Sequence, residues 1–291
     1  MGERILHNLM PLLKVILFIF FISICLFPFG IILQLDFITL PKNSIVTELI
    51  TEGLLVIVVV SALLMMFKTF PKIYFNDVFV VKENAFSGFI KGSLIGFGLM
   101  VISSAALYGL GFVQLSIGKI SIVLLIGYLF FYLLVALFEE LMFRTIPLFV
   151  FAERYHYLFA IVINGLLFGF VHMNNPGFTW LAMLNITLAG ALFSIFTLLK
   201  KNISWAIGIH FSWNFTQGVL LGYKVSGINS PGVLTAKPIG ESYISGGSFG
   251  IEGSIICTIL LILLIVWLLV RHQIQPIEQT EQEYFEEVEE K

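Results

Sequence analysis

Residues 122–138 run for 17 positions without a charged side chain, and similar apolar stretches recur along the chain. About 20 such residues span the hydrocarbon of a bilayer as a helix. On that scale the sequence divides into eight candidate helices, near 12–35, 46–67, 88–112, 120–144, 156–174, 178–199, 203–223 and 250–270. The expected fold is an all-α, polytopic membrane helical bundle with about eight transmembrane helices. Composition agrees: 58% of the 291 residues are hydrophobic and 12% charged, too little polar cover for a soluble domain.

The charges sort by position. Seven of the 18 acids lie in the last 14 residues, so 1–270 reads as one transmembrane domain and 271–291 as an acidic cytoplasmic tail. With the N-terminus inside, twelve Lys and Arg fall on the cytoplasmic side and four (Lys42, Lys119, Lys224 and Lys237) outside, which predicts a multi-pass cell-membrane protein with both termini cytoplasmic. No basic stripe interleaved with aromatics appears, which argues against nucleic acid as a partner. Cys25 and Cys257 stand in separate apolar segments without zinc-knuckle spacing. The Gly-, Ser- and Pro-rich stretch 224–249 is the longest polar connection and reads as the most mobile one.

Glu48, Glu52 and Glu252 fall near the starts of candidate helices, where headgroups or water solvate them. Glu139 and Glu140 follow an uncharged run instead, and an ionisable group there costs several kcal/mol unless it faces a partner or a polar cavity. Arg144, four residues after Glu140, shares its helical face and supplies a partner. Glu139 has none at three or four residues. His172 and His210 repeat this isolated polarity in two other apolar segments, and Asn214 shares the face of His210. His7, His156 and His272 sit beside interfacial charges and suggest no role.

Glu139-Glu140-Leu-Met-Phe-Arg144, Phe168-Gly-Phe-Val-His172 and His210-Phe-Ser-Trp-Asn214 resemble, in that order, the EExxxR, FxxxH and HxxxN motifs of the CPBP family. That family includes CAAX prenyl endopeptidases and the bacterial Abi proteins linked to bacteriocin processing and self-immunity. The resemblance covers residues 139–214, inside a core expected at about 120–223. It implies an intramembrane endopeptidase acting on a peptide or protein substrate at the bilayer. It further implies that Glu139 and His172 activate water, that His210 and Asn214 polarise the scissile carbonyl, and that Glu140, Arg144 and Phe168 support the site.

A metal-dependent version stands beside the metal-free one. Glu139, His172 and His210 would form a His₂Glu set with an open fourth position, as catalytic zinc sites do. No HExxH spacing decides between the two. Two other classes remain in view: an ion- or proton-coupled transporter, for which intramembrane Glu and His are also suited, and a non-catalytic immunity protein. Depth poses a difficulty, because hydropathy puts Glu139 and His172 at opposite ends of adjacent helices, roughly 25 Å apart. The expected resolution is that the motif helix runs on past Arg144 toward Phe151 and that the next helix is tilted or starts outside the hydrocarbon.

Overall fold

A computed structural model describes residues 2–34 and 44–277. Lys42 and residues 278–291, which include the seven clustered acids of the expected tail, lie outside the described residues. The described chain is helical except for one small sheet: α1 (Gly2–Gln34), α2 (Ile45–Thr69), α3 (Ala85–Gly109), β1 (Val113–Ile117), α4 (Ile122–Arg144), α5 (Ile146–Arg154), α6 (Tyr157–Val171), α7 (Trp180–Lys200), α8 (Ser204–Phe215), β2 (Leu234–Pro238), α9 (Ser242–Ser245) and α10 (Ile255–Arg271).

Every expected helix is present near its expected position, but the count of eight membrane spans is not reproduced. Five stretches are long and apolar enough to cross a bilayer: Asn8–Pro28, Ile45–Thr69, Ala85–Gly109, Ile122–Arg154 and Trp180–Lys200. α6 and α10 are apolar but shorter, and α8 has 12 residues before a π-helical turn at Thr216–Leu220. The chain breaks the long fourth stretch at Thr145 (φ −91°, ψ −112°). Pro147, at the start of α5, lacks the N–H that a continuous helix would need, and its ring would meet the carbonyl of Phe143.

Helix starts are chemically marked. Ser44, Ser121, Thr179 and Ser254 cap α2, α4, α7 and α10 by accepting from the backbone N–H three residues on, at 3.1–3.3 Å. α8 is held by α3, where Gly88, Gly92 and Gly96 form one stripe. A Cβ at Gly92 would overlap the Trp205 carbonyl and one at Gly96 the Ile209 carbonyl, while Gly208 faces the Phe89 carbonyl in return. Small residues at four-residue spacing let two helices approach backbone to backbone, which lipid alone does not drive.

Stretch 224–249 departs from its expected free-loop character. β2 pairs antiparallel with β1 in the register Val113↔Pro238 to Ile117↔Leu234. The preceding turn is tied by Val225 and Ile228, and Val233 donates to the Val219 carbonyl at 2.7 Å. The paired backbone groups give this polar segment the ladder that its composition does not reveal.

Candidate active site

The last two turns of α4 carry the EExxxR residues. Glu140 and Arg144 are fully buried and meet at 3.1 Å between Oε2 and Nε, the i,i+4 pair that the spacing predicts. Arg144 also donates to the Gly190 carbonyl at 3.1 Å, and its guanidinium lies 4.5 Å from the ring centroid of Phe168, 5.3 Å from Phe193 and 5.7 Å from Phe143. Phe168 is thus one wall of an aromatic cage around Arg144. Asn164 of α6 fixes the cage from behind by donating to the Phe143 carbonyl at 2.7 Å and accepting from Ser194 of α7 at 3.0 Å.

Glu140 does more than pair with Arg144. Its other oxygen, Oε1, lies 2.9 Å from Nδ1 of His210 on α8. A carboxylate accepts, so Nδ1 carries the proton in this contact, and Nε2 is the nitrogen left for other chemistry. The imidazole is stacked on Phe193, with centroids 5.2 Å apart and planes at 19°. Hydrogen bond, stack and glycine contact together fix the ring.

His172 is the C-cap of α6 (φ −94°, ψ 0°) and not an interior helix residue. Its Nδ1 lies 2.8 Å from the Phe168 carbonyl, which can only accept, so Nε2 is again the nitrogen turned to the site. The depth difficulty dissolves on the course of the chain. Fifteen residues lead from Glu139 to Arg154, and fifteen return from Tyr157 to His172. At the helical rise each leg spans roughly 22 Å, so the two side chains arrive at one level. α5 supplies the extra length that was expected of the motif helix, as a separate helix beyond the break at Thr145.

Glu139 stands between the two imidazoles. Its Oε2 lies 3.8 Å from His172 Nε2 and 3.9 Å from His210 Nε2, and this buried oxygen has no hydrogen-bond partner among the described residues. All three line a cavity of about 340 Å³, with Asn214 one turn beyond His210 also in its wall. Zinc bonds of about 2.1 Å at tetrahedral angles would bring adjacent ligand atoms to roughly 3.4 Å. Glu139 Oε2 stands a few tenths of an ångström farther than that from each imidazole Nε2. Among the described residues no group of three or more His, Cys, Asp or Glu is arranged to hold a metal ion.

Two acids of the same cavity escaped the sequence reading. Glu52 of α2, expected at a solvated helix end, is half-buried and lines the cavity wall. Glu252, also expected at a solvated helix start, is buried in a 3₁₀ turn before α10. Its Oε2 accepts from the Ser226 amide at 2.6 Å, the Ser226 hydroxyl at 3.1 Å and the Gln217 amide at 3.2 Å, and its Oε1 from the Trp213 indole at 3.2 Å. Burial holds the Glu252 carboxyl above the ordinary carboxylate range, against the opposing pull of the Ser226 and Gln217 donors. Asn185 of α7 locks the same turn by donating to the Glu252 and Ser254 carbonyls at 2.7 and 2.9 Å. A lone amide in an apolar helix, as at Asn164 and Asn185, was the available signal for this support.

Comparison with known families bears on this geometry. The family model described as Type II CAAX prenyl endopeptidase Rce1-like matches residues 121–216, from the N-cap of α4 to the end of α8, and contains all three motifs. No match was found among curated proteins, and none among solved structures. The matched segment is about a third of the chain and holds Glu139, Glu140, Arg144, Phe168, His172, His210 and Asn214. Over this segment the chain is similar to the type II CAAX prenyl endopeptidases.

Proposed function

We propose that the protein is an intramembrane endopeptidase in which Glu139 and His172 activate a water molecule for attack on a peptide bond of a membrane-associated peptide or protein. The observation that carries this reading is the unpartnered Glu139 Oε2, facing two imidazole Nε2 atoms at 3.8 and 3.9 Å inside a cavity. A carboxylate and a neutral imidazole nitrogen are both acceptors, and a water that donates one hydrogen to each satisfies them together. The spacing is too long for a direct hydrogen bond and leaves room for a bridging water.

In the reaction, Glu139 takes a proton as the water oxygen bonds to the carbonyl carbon. His210 enters the step already as an imidazolium, its Nδ1–H held by Glu140 and its Nε2–H aimed at the carbonyl oxygen, and it keeps both protons while the negative charge develops there. Asn214 supplies the second donor. The proton held by Glu139 passes to the departing amine, directly or through His172, as the carbon–nitrogen bond breaks. Glu140, Arg144 and Phe168 act by holding His210 and α4.

Cleavage of candidate membrane-associated peptides by the purified protein tests this. Glu139→Gln, His172→Ala and His210→Ala should each lower turnover at least about 100-fold, with melting temperature retained and with wild-type turnover insensitive to chelator. Undiminished turnover in Glu139→Gln would refute the assignment. Loss of wild-type turnover on chelation, restored by zinc, would refute the metal-free form of it. Roles in bacteriocin processing or self-immunity are compatible with this activity and follow from the family resemblance alone.

A further inference from the structure

A second concavity, which shares no lining residue with the catalytic cavity, lies where α3 begins, α7 ends and α8 begins. It encloses about 680 Å³ and is lined by Lys91, Lys200 and Lys201, with Asn84, Ser87 and Trp205 between them. Glu83 is the acid of its lining. None of the three lysines meets a carboxylate within ion-pairing distance among the described residues. Two of them converge on one ring: the Lys200 ammonium lies 5.0 Å and that of Lys91 5.9 Å from the Trp205 centroid. Like charges gathered over a shared aromatic face repel each other and are stabilised by an anion.

The pocket is built and not a chance gathering of surface side chains. Asn202 donates to the Val81 and Glu83 carbonyls at 3.2 and 3.0 Å and accepts from the Ser204 amide at 2.9 Å, which ties the loop before α3 to the turn before α8. Ile203 donates to the Phe79 carbonyl across the same seam. Lys201 is the C-cap of α7 at φ 47°, a left-handed position where glycine is the default. The chain accepts that backbone cost and keeps a lysine.

Its location selects the kind of anion. On α3, Phe86, Ile90, Leu94 and Phe97 form one exposed apolar face that starts beside Ser87 and Lys91 and runs along the helix away from the pocket. Tyr74 and Phe75, exposed on the loop that leads to Asn76, are the aromatic pair expected at a membrane–water boundary. A phosphate in the pocket would therefore stand at headgroup level with an apolar track beside it. We propose that this pocket binds the headgroup of an anionic phospholipid, with the acyl chains following the exposed face of α3. The site is separate from the proposed protease chemistry and does not depend on it.

The test uses the full-length chain, purified and delipidated in a neutral detergent. Phosphatidylglycerol, phosphatidylcholine and inorganic phosphate are each titrated, with melting temperature and lipid adducts in native mass spectrometry as readouts. Phosphatidylglycerol should raise the melting temperature and persist as a one-lipid adduct, and the other two should do neither. Lys91→Gln/Lys200→Gln/Lys201→Gln should weaken phosphatidylglycerol binding by about 10-fold or more. Lys119→Gln/Lys237→Gln, beside the β1–β2 end of the fold, should not. Equal binding of the two lipids, an equal response to phosphate alone, or unchanged affinity in the triple variant with normal melting would each overturn the proposal.

Discussion

Glu140 is bonded to two partners with different jobs, and a pair of variants separates them. Glu140→Leu leaves the Arg144 guanidinium fully buried, with the Gly190 carbonyl at 3.1 Å as its remaining oxygen partner. Stranding one member of a buried ion pair costs about 3–5 kcal/mol. At roughly 2–4 °C per kcal/mol this lowers the melting temperature by about 10 °C. Glu140→Leu/Arg144→Met removes both charges, and a methionine fits the cage of Phe143, Phe168 and Phe193. Replacement of a buried pair by apolar groups is close to neutral, so the double variant should melt within a few degrees of wild type. Peptide hydrolysis should not return with stability. His210 Nδ1 has lost the acceptor at 2.9 Å that sets its orientation, and turnover should stay at least about 100-fold down in both variants. Thermal unfolding in detergent and peptide turnover on the same samples read the two effects. A double variant that recovers both would refute the positioning role of Glu140 and leave it a purely structural residue.

Gly92→Leu should destabilise the protein by about 1–3 kcal/mol and depress hydrolysis, since its side chain would force α8 and His210 away from α3, whereas Gly98→Leu on the same helix, with open space around its Cβ position, should do neither. Burial raises the Glu252 carboxyl above its ordinary value of 4.5, so the folded chain binds that proton more tightly than the unfolded one; the contribution of this group to stability falls as pH rises from about 4.5 through the folded value. In Glu252→Gln that segment of the pH–stability curve should flatten, and the overall stability should drop by about 1–3 kcal/mol because an amide NH₂ then meets some of the four donors that now face the carboxylate. Glu52→Gln should leave melting unchanged and reduce hydrolysis of peptides with lysine near the scissile bond relative to neutral ones, because it removes a cavity-wall carboxylate.

The parts of the site that rest on spacing within one helix were legible in the sequence. Glu140 and Arg144 meet because i and i+4 share a face, and His210 and Asn214 line one cavity for the same reason. What joined the helices was harder to read, although two signals were present. Pro147 marks the break that separates α5 from α4, and Gly88, Gly92 and Gly96 mark the seam that docks α8. Glu252 left no local trace: its burial comes from Ser226, 26 residues away, in a stretch whose glycine and serine content suggested a loose loop.

Five stretches meet the length and apolarity of a span where eight were expected, and the shorter helices gather at the candidate site. A helix that crosses lipid satisfies its own backbone and presents few free polar groups, while irregular backbone at membrane depth is tolerated only where protein surrounds it or a cavity admits water. The candidate site is made from such places. His172 caps α6 after 15 residues, α8 gives way to a π turn after 12, and Glu252 occupies a 3₁₀ turn ahead of α10. α7, by contrast, is long, yet most of it is buried inside the protein. Helices that stop short are what allow Glu139, His172, His210 and Asn214 to share one cavity, which is why the elements that build the site are shorter than the 20 residues of a simple span.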